Sequence, residues 1–421
     1  MDGYLSSFTK LAGAAKSVPH GAEDYYDRLN YALTPGILLA IATIIGMKQY
    51  VFEPIQCWTL KELDDQRMQY AENYCWVENT FYFDPDVPIG HTNKPGEGRT
   101  IYYYQWVPFI LMAQAVLFYY VPHLLWLMLS TNVGVDMRQL AEQARKLESD
   151  CLVGDERKTK VAFLASSLLR FFRYRSRYGH ENACKRLTSF LLGKPAFAMY
   201  LLAAYVLVKA CYIANCIGQL YLMRSYLGLN MTSFGLQIFN DIANNRTWQT
   251  TNVFPRVTYC HFEVRNVGAP RSYILQCVLP VNMLNEKFYV VIWFWVVIML
   301  SLNIVSLTRW LMKLMVSPSR RRIVKKYLKI AEVIDSDGKK FSRNKAWECE
   351  FVDDLIRSDG TFLLSVINKN AGDIVTAEVV RKTFELWHSQ STELDSPAES
   401  AKYITDEKMP LDPSAPKAVI V

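Results

Sequence analysis

The stretch "IYYYQWVPFILMAQAVLFYYVPHLLWLML", residues Ile101–Leu129, decides the class of fold. Its 24 residues from Trp106 onward contain no Asp, Glu, Lys or Arg. At about 1.5 Å per residue, a helix of this length crosses a ~30 Å hydrocarbon core. Pro108 and Pro122 would damage a soluble helix, but inside a membrane neighbouring helices can satisfy the freed backbone groups. With tyrosines 102–104 and Trp106 as an aromatic belt, the stretch predicts a transmembrane helix rather than a buried core helix.

Three further apolar blocks bring the number of predicted spans to four. In the first of these blocks, "ALTPGILLAIATIIGMKQYVF", the only charged residue is Lys48. The four predicted transmembrane helices are residues 32–52, 105–129, 196–222 and 288–315. The fold class that follows is an all-α membrane protein with extracellular loops and a helical cytoplasmic domain.

The third span carries a lysine, Lys209, in its middle. A central lysine costs roughly 2.5–3.5 kcal/mol on insertion scales, and the many apolar residues of the block offset this cost. Lys209, Asn215 and Gln219 share about one third of the helix circumference, so this face turns toward protein or water. A structural ion pair and a pore-lining role both remain open for Lys209.

Charge counts predict which side of the membrane each segment occupies. Residues 130–195 hold 13 Lys and Arg against 7 Asp and Glu, whereas residues 53–104 hold 4 against 9. Because short basic loops stay in the cytoplasm, segments 53–104 and 223–287 are predicted to be extracellular. The predicted cytoplasmic segments are the N-terminal residues 1–31, the loop 130–195, the region 316–388 and the tail 389–421. This arrangement predicts a multi-pass plasma-membrane protein.

The nine cysteines agree with this topology. Two lie in each predicted extracellular segment: Cys57 and Cys75 in the first, Cys260 and Cys277 in the second. An even number on the oxidising side predicts two disulfides, and four cysteines allow three connectivities that the sequence does not distinguish. The second extracellular segment also holds two glycosylation sequons, at Asn230 and Asn245, of which Asn245 lies farther from the membrane.

No pattern in the sequence favours an enzyme or a nucleic-acid-binding protein. The glycines of "KPGEGRT" lack the ending of a phosphate-binding loop, and the six histidines show no paired-ligand spacing. In "DSDGKK" the glycine comes too early for a calcium loop. We therefore predict no catalytic residue, no cofactor and no metal site, and the net charge of +7 is too modest to indicate nucleic acid.

The cytoplasmic segments contain predicted helices. Apolar residues recur at helical spacing in residues 135–150, 160–177 and 319–334, and the last two stretches are basic. These helices are predicted to pack in a cytoplasmic dome or, as the weaker alternative, to lie on anionic lipid. Asp359-Gly360 is predicted as a turn between two helices. The tail is predicted to be disordered, and its final "VIV" is a weak match to PDZ ligands.

Several motifs resemble those of the innexins, the subunits of gap-junction channels. The first loop has "KQYVFEPIQCW" and "ENYCWVENTFY"; the second has "FPRVTYCHFEVRNVG" and "QCVLPVNMLNEKFYVVIWFW". The stretch at the start of the second span resembles the family signature: Tyr103, Tyr104, Gln105, Trp106, Val107, Pro108 and Phe109. The resemblance covers roughly residues 20–390. The family usually has a glycine near Phe52 and often an acidic residue at the position of His261, which could alter the local shape of the loops.

The resemblance implies the function and several sites. It implies a ring of identical or related subunits, eight rather than six, that docks with an opposing hemichannel through the extracellular loops and contacts membrane lipids. It implies that Cys57 pairs with Cys277 and Cys75 with Cys260. It also implies that the N-terminal residues Met1, Asp2, Gly3 and Tyr4 enter the pore mouth, a position that the apolar edge Leu5, Phe8 and Leu11 would support.

Two alternatives to a gap-junction subunit remain open. A pannexin-like hemichannel that releases small solutes without docking would share the two-plus-two cysteine count, and a glycan at Asn245 would favour it. A four-span adhesion protein related to claudins or tetraspanins would lack both the signature and that cysteine division. Dye transfer between paired cells and dye uptake by single cells would separate the three.

Overall fold

The computed structural model describes residues 24–58, 65–83, 99–131, 137–149, 154–177, 199–227, 238–240, 243–244, 254–266, 268–333 and 350–394. The chain divides into two compact units. The first unit contains residues 26–121 and 211–304, and the second contains residues up to 25, 122–210 and those from 305 onward.

Nine helices and five strands within these ranges are used below by label. The helices are α1 (Tyr25–Tyr50), α2 (Asp65–Glu78), α3 (Val107–Thr131), α4 (Met137–Ser149), α5 (Asp155–Arg177), α6 (Tyr200–Leu227), α7 (Pro280–Met315), α8 (Ser317–Ile330) and α9 (Arg357–Leu394). The strands are β1 (Gln56–Trp58), β2 (Thr80–Tyr82), β3 (Arg99–Ile101), β4 (Val257–Asn266) and β5 (Ala269–Val278).

Helices α1, α3, α6 and α7 are the four described helices that are long and apolar enough to cross a membrane. The predicted class, an all-α membrane protein with four transmembrane helices, is confirmed as a mostly helical fold with four candidate spans. Two of these helices start earlier than the predicted spans. The charged residues that set the limit of each predicted span are themselves helical. Helix α1 starts at Tyr25 rather than residue 32, and α7 starts at Pro280 rather than residue 288.

The two prolines of the quoted stretch occupy different positions in α3. Pro108 is the second residue of the helix, where its missing N–H leaves no hydrogen bond unmade. Pro122 lies in the helix interior. Helix α1 has a different irregularity, a π-helical turn at Leu29–Leu33.

Polar side chains join α1 to α7 within the first unit. The amides of Asn30 and Asn303 bind each other reciprocally at 2.7 and 3.0 Å, and both side chains are fully buried. The Trp295 indole donates to Oγ1 of Thr34 at 3.0 Å. Thr34 is the residue that follows the π-helical turn. Side-chain hydrogen bonds of this kind hold helices together in a membrane, where apolar contact alone gives little preference for protein over lipid.

The first unit also contains an antiparallel sheet that the sequence analysis did not predict. Its strand order is β1-β5-β4-β2-β3. Strands β4 and β5 form its hairpin, in which ten residue pairs face each other from Val257↔Val278 to Asn266↔Ala269. Gly268 supplies the positive φ of 123° next to the turn. We call the five strands together with α2 the head.

The side chains of β4 alternate between buried and exposed. Thr258, Cys260 and Phe262 are buried, whereas the residues between them are at least partly exposed. This period of two is typical of a strand with one buried face. Helix α2 covers that face, with the rings of Tyr70 and Tyr74 at 6.0 and 5.2 Å from the Phe262 ring.

The second unit packs α4, α5 and α8 around α9. Each of these helices buries one face, as Val324, Tyr327 and Leu328 do on α8. Burial raises the pKa of Tyr327 to about 12, with the nearby Asp373 charge acting in the same direction. The three helical segments predicted in the loop and after the last span are therefore present, and their apolar faces contact protein.

The predicted turn at Asp359-Gly360 is wrong, because both residues lie inside the first turns of α9. The chain changes direction at Arg357, which has a φ of 53° and follows a π-helical segment, Glu350–Ile356. Gly360 is needed for packing: a Cβ there would lie 2.7 Å from Ile356 Cγ2 and 2.9 Å from Phe172 Cε1. A second glycine, Gly372, has a φ of 71° and kinks α9.

Candidate channel sites

The two disulfides connect the chain segment after α1 to the segment before α7. Cys57 on β1 faces Cys277 on β5 in strand register, with 3.9 Å between their Cα atoms, and the two are bonded. Cys75 on α2 is bonded to Cys260 on β4. All four cysteines are buried, and this pairing is the one that the family resemblance implies. The bridges therefore join the sheet to its covering helix and to its edge strand.

Three of these sulfur atoms also lie close enough together to suggest a metal site. The sulfurs of Cys57, Cys75 and Cys277 are within 4.8 Å of one another. All three are in disulfides, and a disulfide sulfur is not the thiolate that binds metal ions. The cluster is therefore a structural cross-link.

The signature Tyr103–Phe109 is a junction between the head and the long helices. Tyr103–Gln105 form a short 3-10 helix immediately before α3. The Gln105 amide donates to the Trp76 backbone carbonyl on α2, and Gln49 Nε2 on α1 donates to the Tyr104 carbonyl at 2.6 Å. These bonds fix the end of α1, the start of α3 and the covering helix of the head relative to one another.

The two tyrosines of the junction are enclosed by other aromatic rings. The Tyr104 ring lies 4.9 Å from Trp76, and the Tyr103 ring lies 5.7 Å from Phe254. The Tyr226 hydroxyl on α6 donates to the Tyr103 carbonyl. Burial raises the pKa of Tyr104 to about 12 and that of Tyr103 well above its ordinary value. Both hydroxyls therefore stay neutral.

A partly buried ion pair forms a second link between the head and a long helix. Arg256, just before β4, donates to Glu286 in the second turn of α7 at 3.0 Å, and the Glu286 side chain is 5% exposed. Asn282 Nδ2 donates to the Pro255 carbonyl at 2.9 Å. These contacts fix the start of α7 to the residues that immediately precede β4.

Lys209 is a buried structural residue in the second unit. Its Nζ donates to Ser306 Oγ on α7 at 2.8 Å and lies 5.3 Å from the Tyr205 ring centroid. The side chain has no exposed surface. The structural alternative for Lys209 is therefore the one that the geometry favours over a pore-lining position. In the other unit, Gln219 is buried and its amide donates to Asn215 Oδ1 at 3.2 Å.

The chain matches the innexin family model over residues 23–387. It is 34% identical over 384 residues to innexin unc-9 of Caenorhabditis elegans, which covers 90% of this chain and 95% of that protein. It is 31% identical to innexin-16 of the same organism over 399 residues, covering 94% and 98%. It is also 31% identical to innexin-11 over 388 residues, covering 91% and 83%.

The chain is an innexin. Innexins are channel proteins that form oligomeric gap-junction channels with related subunits. In this innexin the described candidate sites are therefore parts of a channel subunit: a disulfide-linked head, a junction at the start of α3, and four long apolar helices. The innexin motifs quoted from the sequence correspond to the junction, to the head and to the adjoining ends of α1 and α7.

Two sets of predicted site residues lie outside the described residues. They are the pore-entrance residues Met1, Asp2, Gly3 and Tyr4 and the sequon asparagines Asn230 and Asn245. They remain predictions for this innexin.

Sequence reasoning missed a group of charged residues at the ends of the long helices in the second unit. Arg320 on α8 donates to the Leu314 and Met315 carbonyls at 3.2 and 3.3 Å, and its side chain is 12% exposed. A cation at a helix C-terminus satisfies free carbonyls and the dipole there. Asp353 pairs with this arginine at 3.4 Å. The sequence signal was the Arg-rich start of α8, which predicts a basic helix but not the carbonyls that it binds.

Proposed function

We propose that this innexin forms large-pore hemichannels that dock between adjacent cells and pass ions and small metabolites. The observation that carries the proposal is the head. The segment between α1 and α3 and the segment between α6 and α7 both contribute strands to one sheet, and two disulfides cross-link them. A surface cross-linked in this way changes little on contact with a partner, and a preorganised surface loses less entropy on binding.

The proposed orientation places the head outside the cell and both termini in the cytoplasm. Disulfides persist in oxidising compartments, which supports an extracellular head. The excess of Lys and Arg in residues 130–195, 13 against 7 acidic residues, supports a cytoplasmic position for that loop. The two arguments are independent and agree.

The proposed assembly is a ring of identical or related subunits in the plasma membrane, with eight favoured over six. Large apolar side chains on the long helices are exposed on the single chain, among them Met112, Ile217 and Ile298. Neighbouring subunits and membrane lipids would cover them. Subunit counting in images of the purified particle tests the number eight.

The proposed pore entrance is the N-terminal segment, with Met1, Asp2, Gly3 and Tyr4 near the narrowest ring. The argument is the family resemblance together with the apolar edge of residues 5, 8 and 11. Asp2, repeated once per subunit, would place a ring of carboxylates at the pore mouth, and such a ring attracts cations and repels anions.

A second candidate is an undocked hemichannel that releases small solutes from single cells. The sequons at Asn230 and Asn245 favour it, because a glycan on the docking face would oppose contact between heads. If Asn245 carries a glycan, Asn245→Gln should run faster on a gel and strengthen coupling between cells. A four-span adhesion protein would give neither dye transfer nor dye uptake.

The docking proposal is tested by removing one disulfide as a pair. We expect Cys57→Ser with Cys277→Ser to reach the cell surface but to abolish dye transfer and junctional current between paired cells. The double substitution leaves no unpaired thiol from that bridge. The matched control is Cys211→Ser, which removes a partly buried free thiol on α6 and should leave coupling unchanged.

Three results of this experiment would be decisive. Normal coupling in the double variant would contradict the role of the head. Dye uptake by single cells without transfer between pairs would support the undocked hemichannel. Surface expression of the unmodified chain with neither activity would contradict a channel function.

A further inference from the structure

One face of the C-terminal helix α9 contacts chain segments that lead into the long helices. Asp359, Phe362 and Lys369 lie at spacings of three and seven residues, which places them within an arc of about 80° at 100° per residue. All the contacts of this face described here lie within the second unit. We call these three residues the contact face.

Asp359 binds the first turn of α6. Its two carboxylate oxygens accept the backbone N–H groups of Leu201 and Leu202 at 3.2 and 3.0 Å, and its side chain is buried. Helix α6 starts at Tyr200, so these are N–H groups that have no carbonyl partner within the helix. A carboxylate at this position also complements the positive end of the helix dipole. The C-terminal helix therefore supplies the cap for α6.

Phe362 is the centre of an aromatic cluster that includes residues of three long helices. Its ring lies 5.1 Å from Tyr205 of α6, 5.5 Å from Trp310 of α7 and 6.3 Å from Trp126 of α3. The Phe362 side chain has no exposed surface. Ring distances in this range are those of favourable aromatic pairs. A displacement of α9 would therefore disturb all three helices together.

Lys369 binds Asp24, the residue that precedes α1. The Lys369 Nζ lies 2.8 Å from Asp24 Oδ1, and the Trp310 indole donates to Asp24 Oδ2 at 2.9 Å. Ser306 Oγ donates to the same oxygen at 3.3 Å, and Lys209 donates to Ser306. Asp24 thus has contacts with α7 and, through Ser306, with α6, while Lys369 is its only contact to α9 among these bonds.

The three contacts differ in how easily they can open. Asp359 and Phe362 are buried, whereas the Asp24 and Lys369 side chains are 19% and 30% exposed. Water can solvate the two charges when the pair separates, so this pair requires the least free energy to break. A change in the position of α9 would therefore begin at Lys369.

We propose that Asp24 and Lys369 are positioning residues for channel gating. Their ion pair holds α9 to the residue before the first span, so that breaking it changes the open probability and leaves the permeation pathway unchanged. The proposal rests on the proposed channel function.

The test compares Lys369→Met, Asp24→Asn and the double variant in single-channel recordings. Lys369→Met keeps the apolar stem, and Asp24→Asn keeps an acceptor for the Trp310 indole. We expect each single change to shift the open probability roughly fivefold, and the double variant to shift it no further, because one pair is lost in all three. Unitary conductance should be unchanged, and Lys369→Arg should behave as the unmodified channel does.

The matched control is Lys326→Met. It removes another Lys–Asp pair of the second unit, the 2.8 Å contact with Asp373, whose side chains are 53% and 45% exposed. We expect no shift in open probability from this change. An equal shift in the control, additive effects of the two single changes, or no effect of Lys369→Met would each overturn the proposal.

A second measurement tests the proposal even if a variant conducts poorly or does not reach the cell surface. On the purified full-length protein, Lys369→Met should speed amide hydrogen exchange in residues 357–371. The control Lys326→Met should not change the exchange in these residues. Unaltered exchange in Lys369→Met would also overturn the proposal. Absence of current from the unmodified chain at the surface would instead contradict the channel function itself.

Discussion

At the scale of single residues, Asp24 combines a charged state with partial burial beside a long helix. Burial alone would raise its pKa, but the hydrogen bond and charge of Lys369, the Trp310 indole and the charge of Lys209 lower that pKa to about 2. The carboxylate is therefore ionised throughout the physiological range. A proton is not the signal that opens this ion pair.

This ionisation predicts how stability depends on pH. The pKa of Asp24 is lower in the folded chain than its ordinary 3.8, so the group stabilises the fold above that value. The stabilisation is lost only as the pH falls through about 2, and after allowance for partial exposure it amounts to about 1 kcal/mol. We expect Asp24→Asn to lower the melting temperature of detergent-solubilised protein by the same amount at about pH 8 and pH 5. If the melting temperatures of Asp24→Asn and the unmodified protein became equal between pH 8 and pH 5, the assigned pKa would be contradicted.

At the scale of elements, side chains from the second unit satisfy opposite ends of two long helices. Asp359 binds free N–H groups at the start of α6, and Arg320 binds free carbonyls at the end of α7. An anion at an N-terminus and a cation at a C-terminus are the favourable arrangement for both helix dipoles. The cap on α6 comes from a residue 157 positions away in sequence, whereas the cap on α7 comes from the start of the next helix.

The cap on α6 is tested by changing Asp359. Asp359→Ala removes both acceptors and leaves two buried N–H groups unsatisfied, so we expect a loss of about 1–2 kcal/mol in the free energy of unfolding. Asp359→Asn keeps one acceptor oxygen and should lose less. Thermal unfolding of the purified subunit measures both. Asp373→Ala, which removes a half-exposed carboxylate from the same helix, should cost at most a few tenths of a kcal/mol. Equal losses for Asp359→Ala and Asp373→Ala would argue against the cap.

Gly360 belongs to the same scale and explains why a local motif misled the sequence analysis. Asp-Gly is a frequent turn dipeptide, because glycine readily adopts a positive φ. Here the glycine is helical, and the absence of a Cβ lets α9 approach Phe172 of α5. The same residue type therefore serves close packing instead of a turn, a distinction that requires the neighbouring helix.

At the scale of the whole molecule, the proposed ring would repeat each charge at the pore mouth once per subunit. We expect Asp2→Asn to lower cation preference in reversal-potential measurements without reducing surface expression, because a ring of carboxylates would become neutral. The effect should weaken in high salt, since the screening length falls to ~3 Å at 1 M. Unaltered selectivity in the variant would place the N-terminal segment outside the pore.

The head shows which features follow from the sequence and which require the tertiary structure. The charge and cysteine counts placed four cysteines together on one side of the membrane, and the resemblance implied their pairing. Residues 260–265 alternate apolar and polar side chains, as a strand with one buried face does, but six residues are a weak signal beside the long apolar blocks. The strand register determines which cysteines meet, because the pairing of β1 with β5 sets Cys57 opposite Cys277.

The sequence by itself determined the four long helices, the family and the position of the signature before the second span. Each of these depends on a local segment, because the free energy of placing a helix in a membrane is largely a sum over its own residues. Only the tertiary structure decided that Lys209 is structural, that Asp359 caps α6 and that Lys369 reaches Asp24 across 345 positions of sequence. Such pairs are fixed by how whole elements pack, and no periodicity or composition along the chain encodes the distance between side chains on different elements.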